Sequence, residues 1–279
     1  MNDSAVKIAR FFGKLLGKKN ATSIITFLHK AADAPIMYIA LNHYGILKGT
    51  DMKNSGEEFA IASLFKKFID PDDIVIDIGA NTGEYSLTLR KHLPLHRIWS
   101  IEPNTDTFNK LVKNVDTECF NFAISTIEGK QSFFVSNENP ISTLGSLSKN
   151  SIPTNETLKE ISVNCITLER LIKNENIKSI GVLKVDTEGY DFNVLKSGEA
   201  YLKDIKFIQF EFNEFHVYTR SFIKDFHDLL SSTHALFRLD TNFLHDLRVY
   251  DPKMEIFRFQ NILAVRNDLV YEISKYIKR

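Results

Sequence analysis

The chain has 279 residues, 43% of them hydrophobic and 25% charged, which is typical of a globular protein with one large domain or a domain and an appendage. Its 35 basic residues balance its 35 acidic residues, so no global positive charge is available to attract nucleic acid. Two cysteines, Cys119 and Cys165, lack the spacing of a metal site or a disulfide framework, and we expect free thiols in a reducing cytoplasm. No apolar run reaches the roughly 18 residues of a membrane span.

The first 55 residues are predicted to form a helical extension, and residues 56–279 are predicted to form one domain. The first helix carries a basic stripe, formed by Lys7, Arg10, Lys14 and Lys18. Such a helix can lie on an anionic membrane surface, which would place residues 5–19 at the cytoplasmic face of a membrane. The alternative, which we favour, is a helix that packs on its own domain with the basic stripe in solvent.

From residue 74 onwards, short apolar runs alternate with segments of helical periodicity. The predicted strands are Ile74–Ile78, Ile98–Ile101, Cys119–Ala123, Val182–Val185 and Phe207–Phe212. The predicted helices are Thr82–Lys91, Thr105–Asn114, Asp191–Leu202 and Ser221–Leu230. Apolar strands with helical crossovers predict an α/β fold with a mostly parallel sheet covered on both faces. Near the C-terminus, two strand-like runs with no helix between them predict an antiparallel hairpin at the sheet edge.

A polar segment at about residues 136–160 interrupts this alternation, between the strand-like runs "QSFFV" and "ISVNC". Its length, its two prolines and its lack of apolar periodicity predict a long surface excursion. We expect this excursion to be mobile without ligand and to close over a bound substrate as a lid.

The run "IVIDIGANTGEYS", residues 74–86, passes from a predicted strand through a glycine-containing bend into a helix. It fails the dinucleotide-binding pattern G-x-G-x-x-G, because Asn81 and Glu84 stand where two of the glycines would be. It also lacks the Gly-Lys-Ser/Thr ending of a P-loop, and Asp77 would repel a phosphate. The bend therefore suits a zwitterion or a cation better than a phosphate.

The groups around this bend predict the kind of ligand that it binds. Asp77 can accept hydrogen bonds from an ammonium group, and the following helix N-terminus favours a carboxylate. Glu102 ends the second predicted strand, where a carboxylate can bind the two hydroxyls of a ribose. S-adenosylmethionine carries all of these groups, and it is the predicted cofactor. The predicted contacts within the bend are Gly79, Ala80, Asn81 and Gly83.

With these residues the chain resembles the FkbM-type methyltransferases, S-adenosylmethionine-dependent enzymes with a Rossmann-like domain. The resemblance spans roughly residues 56–265 and rests on "VIDIGANTGEYS" (75–86), "IEP" (101–103), "NFAIS" (121–125), "ITLERL" (166–171) and, most specifically, "LKVDTEGYDFNVLKSG" (183–198). It implies a Rossmann-like class I methyltransferase fold. It also implies that the cofactor site is lined by Asp77, Gly79, Asn81, Gly83 and Glu102. Further ligand contacts that it implies are Asn121 and Ala123 near adenine, with Tyr85 and Pro103 packing on the ligand.

The motif "VLKVDTEGYD" places two acids just after a predicted strand, where ligands lie in open α/β sheets. We predict that Asp186 serves the cofactor or the reaction, and that Glu188 under the lid is a candidate general base. Lys184 is interpreted as a solvated strand residue, and Asp191 as a helix cap.

The motif "IQFEFNEFH" ends the neighbouring predicted strand and offers a second candidate base, His216. The alternative to a base is a divalent metal ion held by Asp186, Glu211 and Asn213, which would lower the pKa of an acceptor hydroxyl. We favour the base, with Glu188 and His216 ahead of the metal, and we expect chelators to leave activity unchanged.

The leading hypothesis is therefore an O-methyltransferase that modifies a hydroxyl of a saccharide, such as a surface glycan, or of another secondary metabolite. The family resemblance implies oxygen as the acceptor atom, since the residues alone do not separate oxygen from nitrogen. The alternative is a non-catalytic S-adenosylmethionine-binding regulatory module, which would need the cofactor bend but no acceptor site. The sequence identifies neither the acceptor nor the oligomeric state.

Overall fold

The structure, a computed structural model, describes residues 17, 20, 22–24, 26–27, 30, 36–136, 145–149 and 157–278. The chain forms two compact units, Met1–Tyr44 and Gly45–Arg279. The predicted boundary after residue 55 thus falls inside the second unit, where Ile46 is fully buried. Apart from Gly17, the segment 5–19 with its predicted membrane contact lies outside the described residues. Among the described residues, no helix is both long and apolar enough to cross a membrane.

Thirteen strands are described, and we number them in chain order. They are β1 Ile74–Ile78, β2 Ile98–Ile101, β3 Glu118–Phe120, β4 Ala123–Ile124, β5 Gly129–Ser136, β6 Gly145–Ser146, β7 Leu158–Ile166, β8 Ile180–Val185, β9 Phe207–Phe212, β10 His234–Leu239, β11 Leu244–Asp246, β12 Gln260–Arg266 and β13 Ile277–Lys278.

Ten α-helices are described as well. They are α1 Ile36–His43 in the first unit, and α2 Glu57–Phe59, α3 Lys66–Phe68, α4 Glu84–His92, α5 Thr105–Asn114, α6 Leu168–Asn174, α7 Asp191–Lys196, α8 Glu199–Leu202, α9 Phe215–Thr219 and α10 Ile223–Leu230 in the second. A π-helical segment, Ala60–Phe65, joins α2 to α3, and the 3₁₀ helices whose bounds are fully described are Pro252–Met254, Asn267–Leu269 and Ser274–Tyr276.

A nine-stranded sheet organises the second unit, in the order β13-β11-β10-β12-β9-β8-β1-β2-β3. The five strands from β9 to β3 are parallel to one another, whereas β12 pairs antiparallel with both β9 and β10. Two clusters of buried apolar side chains, which include Ile76 and Leu183 in one and Val75 and Val182 in the other, cover the two faces of these strands. The predicted α/β fold with a mostly parallel sheet and antiparallel C-terminal strands is confirmed.

The C-terminal strands differ from the prediction in one respect. β10 and β12 do pair antiparallel, but β12 is inserted between β9 and β10, and β11 and β13 extend the sheet beyond β10. The pair is therefore not the outermost part of the sheet.

Two predicted elements are divided in the structure. The predicted strand Cys119–Ala123 is split, because β3 joins the main sheet whereas β4 pairs with β7 in a second sheet of order β4-β7-β5-β6. The predicted helix Asp191–Leu202 breaks into α7 and α8 around Gly198. This glycine lies against another helix, since a Cβ there would come within 2.7 Å of the Leu168 side chain.

The runs "QSFFV" and "ISVNC" fall in β5 and β7, which pair antiparallel over eight residue pairs. The predicted lid between them lies largely outside the described residues, which include only β6 and its neighbours Leu147, Ser148 and Lys149 from 137–156. Because β1, β2, β8 and β9 run in parallel, their carboxyl ends meet at one edge of the sheet.

Candidate active site

A cavity of about 530 Å³ opens at the carboxyl ends of β1, β2, β8 and β9. This volume is in the range of small-molecule binding sites. Further walls come from the segment around Thr50, Met52 and Glu57, from the β5–β6 pair and from Phe259. The cavity is thus a single space that joins the predicted cofactor bend to the acidic motifs after β8 and β9.

The bend after β1 lines one side of the cavity with Gly79, Ala80 and Asn81. Gly79 has a φ of 82°, and a Cβ there would come within 1.8 Å of the Asp186 carbonyl oxygen. Only glycine therefore allows the bend to lie against the end of β8. The N–H groups of Gly79 and Ala80 both donate to the carbonyl of Ile101, each at 3.0 Å. These two amide groups are therefore used to hold the bend against the end of β2 and do not point toward a ligand.

Glu102 lies beside the bend, with its carboxyl group held by two backbone amides. Its Oε1 accepts from the Asn104 N–H at 2.8 Å, and its Oε2 accepts from the Asn81 N–H at 3.1 Å. Burial raises the pKa of Glu102 to about 7, although both amide hydrogen bonds oppose the shift. The carboxyl group lines the cavity, so it is placed to bind a polar ligand group as well.

Three residues predicted to contact the cofactor do not line the cavity. Asp77 is fully buried and accepts a hydrogen bond from Ser86 Oγ at 2.7 Å, because its side chain points into the layer between sheet and helix. Gly83 instead allows α4 to approach α5, since a Cβ there would lie 2.3 Å from Val115 Cγ1. Asn121 donates to the carbonyls of Glu102 and Pro103, at 2.8 and 3.0 Å. It holds the backbone after β2 in place.

The other predicted cofactor residues do lie at the cavity. Pro103 and Ala123 line it together with Phe122 and Ile124, which sequence reasoning had not selected. These four form an apolar slot next to Glu102, a surface suited to a flat aromatic ring. Tyr85 lines the cavity at its other end, next to β8.

Lys184 is buried, only 5% exposed, so its interpretation as a solvated strand residue is wrong. It stands between Asp77 on β1 and Gln209 on β9 in the register of the sheet. Its Nζ lies 2.9 Å from Asp186 Oδ2 and 3.9 Å from Asp77 Oδ1, and 4.9 Å from the centre of the Tyr85 ring. Burial alone would lower the pKa of Lys184, but the carboxylates of Asp186, Asp77 and Glu57 outweigh it and raise the pKa.

Glu57 is a second residue that sequence reasoning missed. It lies in α2, outside every quoted motif, and its Oε1 accepts from Gln209 Nε2 at 3.0 Å while its Oε2 accepts from Ser55 Oγ at 2.8 Å. The Tyr85 hydroxyl donates to the same glutamine, at 3.0 Å. Burial raises the pKa of Glu57 to about 7 against the opposing charge of Lys184. Two acids, Glu57 and Glu58, begin this helical run, and acids are common at helix N-termini, so the sequence did not single out Glu57.

The structure brings Asp186, Glu188 and Glu211 together. Their carboxylate oxygens lie within 4.8 Å of one another, at the ends of β8 and β9. Burial and the Asp186 charge raise the pKa of Glu188 and of Glu211 well above the ordinary value, and Asp191 adds to both shifts. The ionised form of a carboxyl group with a raised pKa is a stronger base than an ordinary carboxylate.

Glu188 adopts a backbone conformation that few side-chain-bearing residues adopt. Its φ is 53°, in the left-handed region, and Gly189 follows with a φ of 87°. The turn is held by Asp191, whose carboxylate accepts from the N–H groups of Thr187 and Gly189 at 3.2 and 3.1 Å. Asp191 is the first residue of α7, so it anchors the preceding turn rather than standing at the capping position. Strained backbone of this kind is common at functional sites.

The predicted metal ligands Asp186, Glu211 and Asn213 all line the cavity, and the Asn213 amide already makes two hydrogen bonds. Its Oδ1 accepts from the Phe215 N–H at 2.9 Å, and its Nδ2 donates to Glu211 Oε1 at 2.5 Å. The three acids Asp186, Glu188 and Glu211 are the set that could hold a cation. One oxygen of Asp186 is already paired with Lys184, which supplies a positive charge to this cluster.

His216 is fully buried and does not line the cavity, so the structure does not place it where an acceptor could reach it. Its ring stacks on Phe212, with 4.7 Å between ring centres, and its Nδ1 accepts from the Asn213 N–H at 3.3 Å. Its Nε2 lies 3.4 Å from Asp191 Oδ2. His216 therefore supports Asp191, and through it the turn that carries Glu188.

Comparisons with known proteins agree with this geometry. The family model described as "Methyltransferase FkbM domain" matches residues 77–239, more than half of the chain. The sheet and the family match define a methyltransferase with a Rossmann-like fold. The chain belongs to the FkbM methyltransferase family.

Individual relatives are more distant. The hexuronic acid methyltransferase AglP of Haloferax volcanii is 28% identical over 158 residues, which cover 55% of this chain and 61% of that protein. The crystal structure of Methyltransferase FkbM from Methylobacillus flagellatus has 12% identity and a TM-score of 0.43, over 74% of this chain and 47% of that one. The plantazolicin methyltransferase BpumL in complex with SAH has 12% identity and a TM-score of 0.42, over 78% and 86% of the two chains.

Proposed function

We propose that this methyltransferase uses S-adenosylmethionine to methylate a hydroxyl group of a saccharide. The observation that carries the proposal is the continuity of the cavity. A buried carboxyl group beside an apolar slot at one end adjoins three clustered carboxyl groups at the other. A cofactor and an acceptor can therefore bind side by side, as direct transfer requires.

The residues at the first end fit S-adenosylmethionine. Glu102 would accept hydrogen bonds from the ribose hydroxyls, and Pro103, Phe122 and Ala123 would pack on the adenine. Asp186 would face the amino-acid part of the cofactor, while Lys184 keeps the Asp186 carboxylate in place at 2.9 Å. The acidic lining suits a ligand with a sulfonium and an ammonium group.

When bound, the cofactor supplies an electrophilic methyl group. Glu188 then accepts the proton of the acceptor hydroxyl, because the ionised form of a carboxyl group with a raised pKa is a stronger base than an ordinary carboxylate. Glu211 lies within 4.8 Å of Glu188 and binds the acceptor through a further hydrogen bond. The turn held by Asp191 and His216 keeps Glu188 in its strained conformation, so that proton transfer needs no rearrangement.

The saccharide part of the proposal rests on different support. The relative AglP is named as a hexuronic acid methyltransferase, and hydroxyl-rich ligands suit a cavity with many carboxyl groups. A non-catalytic S-adenosylmethionine-binding module remains the alternative function. It would have no use for an acceptor space beside the cofactor end.

Calorimetry with S-adenosylmethionine, S-adenosylhomocysteine and NAD tests the cofactor, and methyl transfer to a glycan panel tests the reaction. We expect binding of the first two ligands and not of NAD. Glu188→Gln should lower kcat about 10²–10⁴-fold with unchanged S-adenosylhomocysteine affinity. A metal-dependent reaction would instead be stopped by a chelator and restored by Mg²⁺, whereas we expect full activity with chelator. Cofactor binding with no transfer to any hydroxyl compound would favour the non-catalytic module.

A further inference from the structure

The acidic lining of the cavity limits the charge that an acceptor can carry. Besides Glu102, six acidic side chains line the cavity: Glu57, Glu84, Asp186, Glu188, Glu211 and Glu214. Among the described residues, Lys184 is the one basic side chain in the lining, and its Nζ is already close to Asp186 and Asp77, at 2.9 and 3.9 Å. An anionic group on the acceptor would therefore meet carboxyl groups without an uncommitted cation among these residues.

The segment between β5 and β7 contains few positively charged residues. Residues 137–144 and 150–156 contain neither lysine nor arginine. Lys149, which lies between them, is exposed, and its Nζ is 5.9 Å from the centre of the Phe134 ring. It is not part of the cavity lining.

The remaining surface at the acceptor end suits a neutral sugar ring. Phe215 and Phe259 line the cavity and are partly exposed. Gly189 allows Phe215 to approach the turn, since a Cβ on this glycine would come within 3.0 Å of Phe215 Cβ. Aromatic rings can pack on the apolar C–H faces of a sugar, and carboxylates accept strong hydrogen bonds from its hydroxyls.

Building on the proposed function, we propose that the acceptor is a saccharide without negative charge, and that the cavity selects against uronic acids. Complementary charge is a main source of specificity at binding sites, and like charges placed together disfavour the wrong partner. The specificity would thus differ from the one that the name of AglP describes.

Matched pairs of sugars test this proposal directly. The probes are the methyl glycosides of glucose, galactose and mannose and those of the corresponding uronic acids, with S-adenosylhomocysteine release as the readout. Release counts transfer to a hydroxyl and to a carboxylate alike. We expect kcat/KM to be at least about tenfold higher for the neutral member of any pair that is methylated. Equal or faster transfer to the uronic acid would overturn the proposal.

A change of charge at the cavity rim provides the second arm. Glu214 is exposed and lines the cavity, so Glu214→Lys adds a cation there without disturbing the core. We expect Glu214→Lys to raise the uronic-to-neutral ratio of kcat/KM several-fold, and Glu214→Gln to raise it less, with S-adenosylhomocysteine affinity unchanged in both. An unchanged ratio in both variants would show that the charge of the lining does not select the acceptor.

Failure of the proposed function itself would look different. In that case S-adenosylhomocysteine would fail to bind, or no sugar of either charge would be methylated while the cofactor binds. Methylation of uronic and neutral sugars at equal rates would leave the proposed function in place and remove only the inference about charge.

Discussion

The carboxyl group of Glu102 holds two backbone amides and faces the cavity at the same time. Its hydrogen bonds to Asn81 and Asn104 connect the bend after β1 to the segment after β2. These bonds use one lone pair on each oxygen, and the others are available to a ligand. The same residue therefore shapes the bend and provides the proposed contact to the ribose.

Glu102→Gln is expected to weaken S-adenosylhomocysteine binding by about 10–100-fold, because a hydrogen bond to a charged group contributes about 1.5–3 kcal/mol. In the wild type, affinity should rise as the pH passes upward through about 7, the pKa of Glu102, since the charged form accepts hydrogen bonds better. Calorimetry between pH 5.5 and 8.5, chosen as about 1.5 units to either side of this pKa, measures both effects.

The control is Glu118→Gln, the same change at a glutamate that is 50% exposed and paired with Arg97 on the surface. It should leave both the affinity and its pH dependence as in the wild type. A Glu102→Gln protein that is folded and binds with wild-type affinity would contradict the ribose assignment.

Glu188 and His216 were both candidates for the base in the sequence analysis, and their environments differ, since Glu188 lines the cavity and His216 does not. Glu188→Gln should remove the rise of kcat with pH, because the residue must lose its proton to act. His216→Asn should lower kcat only through the position of Glu188, so the shape of the pH profile should be retained while the thermal midpoint falls. The measurement is kcat against pH for both variants. A rising limb that vanishes in His216→Asn and persists in Glu188→Gln would reverse the assignment.

At the scale of elements, the bend after β1 depends on a glycine where strand and turn almost touch. Gly79→Ala would place a methyl group 1.8 Å from the Asp186 carbonyl oxygen, so β1 and β8 could not keep their register. We expect this variant not to fold, as measured by circular dichroism and thermal denaturation. Gly129→Ala is the matched control, since its φ of 96° is equally positive but no atom lies within 4 Å of the added Cβ. It should cost only about 1–2 kcal/mol, and equal losses in both variants would exclude a steric cause at Gly79.

Elements with a strong local pattern were predicted with their observed bounds. β1, β2, β9 and α5 match the sequence prediction at both ends, because apolar runs or helical periodicity define them without help from other parts of the chain. The division between β3 and β4 was missed, since it depends on which sheet each short strand joins. β11 and β13 are likewise defined by their pairing rather than by their composition.

The residues of the candidate site likewise divide into those that a local motif identifies and those that depend on partners distant in the sequence. The bend, Glu102 and the acids after β8 and β9 could be found from motifs that end predicted strands. Glu57 and Lys184 could not, because their burial depends on partners far along the chain, such as Gln209 for Glu57. The motifs also contain residues that do not line the cavity but support the structure around it, namely Asp77, Gly83 and Asn121. A motif does not distinguish a residue that contacts the ligand from one that supports the site.

On the scale of the whole molecule, acids with a raised pKa are concentrated around one cavity. Glu57 and Glu102 have a pKa of about 7, and the pKa values of Asp77, Glu188 and Glu211 are raised as well, with burial as the first cause in each. Lys184 supplies a buried positive charge close to two of these acids, Asp77 and Glu57. Ionisation of these buried acids therefore destabilises the folded state, and the destabilisation grows as more of them lose their protons.

This arrangement predicts an unusual dependence of stability on pH. A group whose pKa is higher in the folded state contributes stability that is complete below its unfolded pKa and is lost as the pH rises through its folded pKa. For Glu57 and Glu102 the loss runs from the ordinary value of 4.5 to about 7 and corresponds to on the order of 3 kcal/mol for each. The pKa of Asp240 is shifted in the opposite direction. Burial would raise it, but hydrogen bonds from His245 and the Thr241 N–H outweigh burial and lower the pKa to about 2. Its contribution is lost only as the pH falls below the ordinary 3.8.

The free energy of unfolding should therefore be highest at about pH 4–5 and fall toward pH 8, with a decrease of the thermal midpoint on the order of 10 °C. Differential scanning calorimetry across this range measures the decrease. The double variant Glu57→Gln/Glu102→Gln should make the decrease smaller, because neither amide can ionise, whereas Glu118→Gln should leave it unchanged. Saturating S-adenosylhomocysteine should also reduce the decrease in the wild type, since hydrogen bonds from a ribose favour the charged form of Glu102. A thermal midpoint that is constant or rises from pH 5 to 8 in the unliganded wild type would contradict the prediction that ionisation of the buried acids destabilises the fold.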